Sequence, residues 1–81
     1  MKVSVQFFSR LKDIAGSSEL EVDVKDGTTV DDLLGQLYAR SPRLRDWDNN
    51  ILIGAGVEFV ERNHVLQPNE QIAIMPPVQG G

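Results

Sequence analysis

The sequence predicts a single α+β domain in which a mixed sheet of about five strands curls around one main helix. Two alternating apolar segments precede one amphipathic helical segment, and three short apolar segments follow it. The 81 residues are enough for one domain with one small core. Two strands, a crossing helix and further strands are typical of an α+β roll, in which we expect the first and last strands to pair in parallel near the centre.

The first strand is predicted from Lys2 to Phe8 by strict alternation. Its valines and Phe7 occupy one phase, whereas Phe8 falls on the polar phase and is expected at the margin or exposed. After this strand, residues 11–15 can form a short helical turn that ends at Gly16.

The second strand is predicted over residues 19–25, where Leu20, Val22 and Val24 point inward. The turn signal Asp26-Gly27 follows it. The outward phase carries Glu19, Glu21 and Asp23. Strand alternation explains this row of acids as a solvated face, so we do not expect it to bind a metal.

The main helix is predicted by a complete helical stripe of apolar residues. Thr28 or Thr29 can cap it, with Asp31 or Asp32 closing a short capping box. The helix is expected to end at Ser41-Pro42, because a residue before proline avoids helical angles. The buried stripe consists of Val30, Leu33, Leu34, Leu37 and Tyr38.

The remaining strands are short. Residues 43–50 are irregular, with a possible helical turn, and residues 51–53 are expected to form a central strand. A turn at 54–56 precedes a strand over 57–60, and the last strand is predicted over 71–75.

Composition excludes several classes of function. Twelve acidic and eight basic residues give a net charge of −4, which argues against binding nucleic acid or an anionic membrane. The absence of cysteine excludes disulfides and thiolate chemistry. With no secretory signal or long apolar run, we expect a cytoplasmic protein. The only histidine, His64, has no carboxylate partner at a recognisable spacing and is expected to be solvated, and no catalytic constellation is visible.

The most informative stretch is the tail, residues 76–81, which follows the body formed by residues 1–75. Pro76 and Pro77 lack amide hydrogens, so the sheet cannot continue through them. Gly80 and Gly81 carry no Cβ that would hinder approach to the terminal carboxylate. Six extended residues reach about 20 Å, which is enough to enter another protein's active site.

Apolar residues on the outward phase predict a docking surface beside this tail. Phe8, Phe59 and Met75 are expected to point away from the helix, and Met75 directly precedes the tail. The alternative is that a curled sheet buries part of its second face, or that one phase is assigned incorrectly.

The ending Ile72–Gly81, with the order strand-Pro-Pro-Val-x-Gly-Gly, resembles the C-terminus of the small subunit of molybdopterin synthase (the MoaD family). The resemblance extends over the whole chain through Phe7-Phe8, the 11–16 segment, the helical stripe, 58–60 and the turn 66–70. The sequence departs from the family at 54–57, where many members carry an asparagine.

The resemblance implies a ubiquitin-like β-grasp fold and a role as a sulfur carrier that is not an enzyme on its own. An activating enzyme similar to the ubiquitin E1 would use ATP to adenylate Gly81, and a sulfur donor would convert the adenylate to a thiocarboxylate. The large synthase subunit, in a 2+2 heterotetramer, would use that sulfur to convert cyclic pyranopterin monophosphate to molybdopterin. No cofactor or metal would be bound to the chain itself.

The resemblance also assigns roles to individual residues. Gly81 would carry the thiocarboxylate, with Gly80 beside it. Lys12 falls where family members have a basic residue. The partner would be contacted by Phe8, Lys12, Phe59, Met75, Pro76, Pro77, Val78 and Gln79.

Three alternatives remain open. The chain could be a sister sulfur carrier for thiazole, cysteine or tRNA thiolation, because these proteins share the diglycine end. It could be a ubiquitin-like modifier that is joined to lysines of other proteins. It could also be a plain interaction domain whose tail has no function.

Overall fold

The computed structural model describes residues 1–77 and has the predicted α+β architecture. One five-stranded sheet, in the order β2-β1-β5-β3-β4, packs against one main helix. The elements are β1 (Lys2–Phe7), α1 (Arg10–Ala15), β2 (Glu19–Asp23), α2 (Val30–Arg40), a 3₁₀ helix (Pro42–Trp47), β3 (Leu52–Ala55), β4 (Glu58–Phe59) and β5 (Gln71–Met75).

The first and last strands pair in parallel, as predicted. Val5 lies opposite Ile72 and Phe7 opposite Ile74, and the other strand pairs are antiparallel. Because successive side chains point to opposite faces, these four residues form an inner row that packs towards α2. The tail therefore continues from a central strand that is paired on both sides.

Helix α2 begins with the predicted capping box, and Thr29 rather than Thr28 is the cap. Thr29 Oγ1 accepts a hydrogen bond from the Asp32 amide, and the Asp32 carboxylate accepts one from the Thr29 amide, both at 3.2 Å. The backbone amides of the next two residues donate hydrogen bonds to carbonyls in the connection between β4 and β5. Val30 donates to the His64 carbonyl and Asp31 to the Arg62 carbonyl.

The predicted bounds of β3 and β4 were wrong. Strand β3 starts at Leu52, because the Ile51 amide donates to the Trp47 carbonyl and is not available to the sheet. It continues through Gly54 and Ala55, which were predicted to form a turn. The reversal is a two-residue hairpin at Gly56 (φ 64°) and Val57, which shortens β4 to two residues.

Strand β5 has the predicted bounds, whereas β1 and β2 end one or two residues earlier than predicted. Strand β1 ends at Phe7, so Phe8 lies just beyond it, and β2 ends at Asp23 instead of Lys25. Leu20 was expected to point into the core but is only partly buried. Its position on an edge strand leaves one of its sides uncovered.

The expectation that His64 is solvated without a carboxylate partner was also wrong. His64 Nε2 lies 3.0 Å from a carboxylate oxygen of Glu70, and both side chains are partly buried. The Glu70 carboxylate also accepts a hydrogen bond from the Gln67 amide. The pair links His64 to Glu70 within the connection between β4 and β5, next to the N-terminus of α2.

Candidate functional site

The outer face of the sheet carries an apolar surface next to the end of β5. Phe59 is 72% exposed, Phe8 is 44% exposed and Met75 is partly buried. These three residues surround one shallow depression on the side of the sheet away from α2. We call this surface the outer-face patch; its residues are Phe8, Gly54, Val57, Phe59, Ala73 and Met75, and Gly56 and the charged Glu58 complete the lining of the depression.

Gly54 is the floor of this depression. It lies opposite Ala73 on β5 and opposite Phe59 on β4, so three neighbouring strands meet at this point. A Cβ placed on Gly54 would lie 3.5 Å from the terminal methyl of Met75. The Met75 side chain therefore lies beside Gly54, and the patch has a flexible thioether next to this glycine.

Val57 extends the patch to the tip of the hairpin. Its side chain is fully exposed, although valine is apolar and β-branched. The prediction from sequence did not include Val57, because alternation does not indicate which residue of a hairpin stands at its tip. The signal that could have found it is an apolar residue directly after the turn glycine Gly56.

Lys12 does not line the outer-face patch. It lines a neighbouring hollow with Phe8 and the start of β2 at Glu19, so Phe8 stands between the two surfaces. Pro76 and Pro77 are half-buried and face a third cleft, whose other walls include Trp47. The predicted site residues Val78, Gln79, Gly80 and Gly81 lie outside the described residues.

A polar network holds the segment that carries Trp47. The Tyr38 hydroxyl donates to the Asp48 carboxylate at 2.5 Å, and the Arg62 guanidinium donates to the same carboxylate at 2.8 Å and also to the Asp48 carbonyl. Burial, followed by the bond to Asp48, raises the pKa of Tyr38 to about 12. The Tyr38 hydroxyl, followed by Arg62, lowers the pKa of Asp48. Sequence spacing gave no sign of this network.

We expect Tyr38→Phe to lower the free energy of unfolding by about 1–2 kcal/mol near neutral pH, because one hydrogen bond to a charged group is lost. The raised pKa of Tyr38 stabilises the wild-type fold fully below about pH 10, and this contribution is lost as the pH rises towards 12. The variant lacks that alkaline loss. The lowered pKa of Asp48 acts in the opposite range, since its contribution is lost when acid protonates the carboxylate.

Urea unfolding of both proteins across the alkaline range checks this prediction. The difference in unfolding free energy between wild type and variant should shrink above about pH 10, where the hydroxyl begins to ionise in the unfolded chain. A constant difference up to pH 12 would show that the hydroxyl is not held protonated by the fold.

Within residues 1–77, no three acidic or histidine side chains form a group that could hold a metal ion. The acidic face of β2 is exposed, as expected, and Lys2 pairs with Glu21 at 3.2 Å. No helix in this part of the chain has the length and apolar character needed to cross a membrane.

The sequence profile of the ThiS family matches residues 5–81. The chain belongs to the ThiS family. The human molybdopterin synthase sulfur carrier subunit is 31% identical to this ThiS-family chain, over 99% of the chain and 94% of the human protein. The resemblance to the MoaD family and the ubiquitin-like β-grasp fold are therefore confirmed.

Solved structures of the same fold include both free and complexed proteins. The crystal structure of SAMP1 from Haloferax volcanii matches this ThiS-family chain with a TM-score of 0.86 and 28% identity, covering all of both chains. A chain in the complex of subunits 1 and 2 of the molybdopterin-converting factor from Helicobacter pylori matches with a TM-score of 0.75 and 23% identity, also over all of both chains. The second similarity shows the shared fold.

Proposed function

We propose that this protein is the sulfur carrier subunit of a molybdopterin synthase. The observation that carries the proposal is the position of the outer-face patch. Phe8, Phe59 and Met75 surround one depression, and Met75 is the last residue of the strand from which the tail continues. A partner that covers the patch would therefore also bring its surface close to Pro76, where the tail begins.

The chemistry that we propose takes place at the carboxylate of Gly81. This group is ionised at neutral pH and is a poor electrophile. An activating enzyme similar to the ubiquitin E1 would join it to AMP, with pyrophosphate leaving from ATP. Sulfur at the oxidation level of sulfide, delivered by a donor, would then attack the acyl carbon; the bond to AMP would break, AMP would leave, and a thiocarboxylate would remain. Two glycines at the end reduce steric hindrance at the reacting carbonyl.

The final acceptor that we propose is cyclic pyranopterin monophosphate in the active site of a large subunit. The large subunit would supply the catalytic residues, and this chain would supply the sulfur. Two similarities support the proposal: the human relative is a molybdopterin synthase sulfur carrier subunit, and the Helicobacter pylori chain of the same fold is in complex with a second subunit. We further propose a 2+2 heterotetramer as the form in which the two subunits act.

Intact-mass spectrometry of the chain, incubated with the activating enzyme, ATP and sulfur donor of its own organism, tests the proposal. The expected product is a free chain that is heavier by the difference between a sulfur and an oxygen atom. Omission of ATP should abolish the shift. A ladder of conjugates to other proteins, without the heavier free chain, would instead identify a protein modifier.

A second measurement separates molybdopterin synthesis from related sulfur transfers. The thiocarboxylated chain is mixed with the large subunit and cyclic pyranopterin monophosphate, and the product is detected as molybdopterin. If the same thiocarboxylate delivers sulfur only to a thiazole, cysteine or tRNA pathway, the chain is a sister carrier.

A further inference from the structure

A cleft lies at the root of the tail and shares no residue with the outer-face patch. Its walls come from three separate parts of the chain, and it encloses about 210 Å³. The lining residues are Ser9 and Arg10 at the start of α1, Trp47 at the end of the 3₁₀ helix, and Pro76 and Pro77 where the tail begins. The cleft thus combines a hydroxyl and a guanidinium with an indole and two proline rings.

Arg10 gives this cleft a positive charge in a protein whose net charge is −4. The side chain is exposed, and among residues 1–77 no carboxylate lies within 4.0 Å of its guanidinium. A guanidinium presents two parallel N–H donors that match a carboxylate. The ligand chemistry that this charge favours is therefore an Asp or Glu side chain.

The backbone of Trp47 is held by hydrogen bonds, and its partly buried side chain packs against the core. Its carbonyl accepts hydrogen bonds from the amides of Asn50 and Ile51, and its neighbour Asp48 is bound by both Tyr38 and Arg62. A fixed aromatic wall lowers the entropic cost of binding. Its ring can cover the aliphatic part of an acidic side chain, while the carboxylate reaches Arg10.

We propose that this cleft binds an acidic side chain of the large subunit, at the rim of the slot that receives the tail. The proposal rests on the proposed function, since it requires a partner that takes up the tail. Any slot that admits the chain as far as Pro77 brings its rim against the cleft, because Pro76 and Pro77 are themselves walls of it. Arg10 and Trp47 would then set the direction in which the tail enters.

The test measures binding of full-length variants to the large subunit of the same organism by calorimetry. We expect Arg10→Glu to raise the Kd by about 10- to 100-fold, because a favourable charge pair becomes a repulsive one. Arg10→Lys keeps the charge but lacks the two parallel N–H donors, so its Kd should lie between those of wild type and Arg10→Glu. Added salt should weaken the wild-type complex more than the Arg10→Glu complex.

Lys25→Glu is the matched control for charge. Lys25 is exposed and follows β2, at the end of the sheet opposite to Phe8 and the tail. The substitution changes the net charge by the same amount and should change the Kd by less than about twofold. Circular dichroism of each variant checks that the fold is retained.

Trp47 is the only tryptophan, so a label on tryptophan reports on the cleft alone. The chain labelled with 5-fluorotryptophan should give one ¹⁹F resonance, which should shift when the unlabelled large subunit binds. If wild type binds but Arg10→Glu behaves like Lys25→Glu, or if the resonance does not move, the cleft proposal is wrong and the proposed function stands. If wild type neither binds the large subunit nor becomes thiocarboxylated, the proposed function is wrong, and the cleft proposal is overturned with it.

Discussion

Deletion of Gly81, or the addition of one residue after it, is expected to abolish sulfur transfer while the fold survives. The fold should survive because the core residues that the structure describes all precede the tail. Transfer should fail because one residue changes the reach of an extended chain by about 3.5 Å. A displacement of about 1 Å can already cost about 100-fold in rate when reacting groups must be aligned.

The measurement is single-turnover formation of molybdopterin by the reconstituted synthase, together with the thermal midpoint of each variant. The shortened chain should also be prepared with a chemically installed thiocarboxylate on Gly80. This control bypasses the activating enzyme and isolates delivery in the large subunit. Product formation at the wild-type rate by either length variant would refute the assignment of Gly81.

Met75→Glu is expected to weaken binding of the large subunit by a few kcal/mol, which corresponds to a Kd about 100-fold higher. Met75 lies over Gly54 at the centre of the outer-face patch, so a carboxylate there would be desolvated when a partner covers the patch. The same substitution should also impair adenylation if the activating enzyme docks on this surface.

Gln71→Glu is the matched control for Met75→Glu. Gln71 lies on the same strand and the same outer face, but it is exposed and outside the patch. It introduces the same carboxylate and should leave the Kd nearly unchanged. Equal Kd values for Met75→Glu and wild type would remove Met75 from the docking surface.

The sequence predicts the parts of the fold that depend on local periodicity. A capping box at the start of α2, the stripe of α2 and strand β5 each follow from local residues, although the sequence left Thr28 and Thr29 open as the cap. The parallel pairing of β1 with β5 follows from the order of the elements. The same alternation brought Phe8, Phe59 and Met75 to one face, whereas their role in binding stays a prediction.

The features that the sequence did not predict depend on residues from different elements. Tyr38 and Asp48 are ten residues apart and meet only because the 3₁₀ helix folds back onto α2. His64 and Glu70 meet across an irregular connection that has no repeating pattern. The cleft at Trp47 requires three separate segments to converge. Gly54 was assigned to a turn, yet it lies within β3, where the side chain of Met75 is its neighbour.

The parallel pairing of β1 with β5 has a consequence for the synthesis of this protein. The centre of the sheet stays incomplete until β5 has left the ribosome, because Val5 pairs with Ile72 and Phe7 pairs with Ile74. Non-local pairing of this kind forms late. A chain that stops before Gln71 therefore lacks the central strand, and with it Ala73 and Met75 of the outer-face patch.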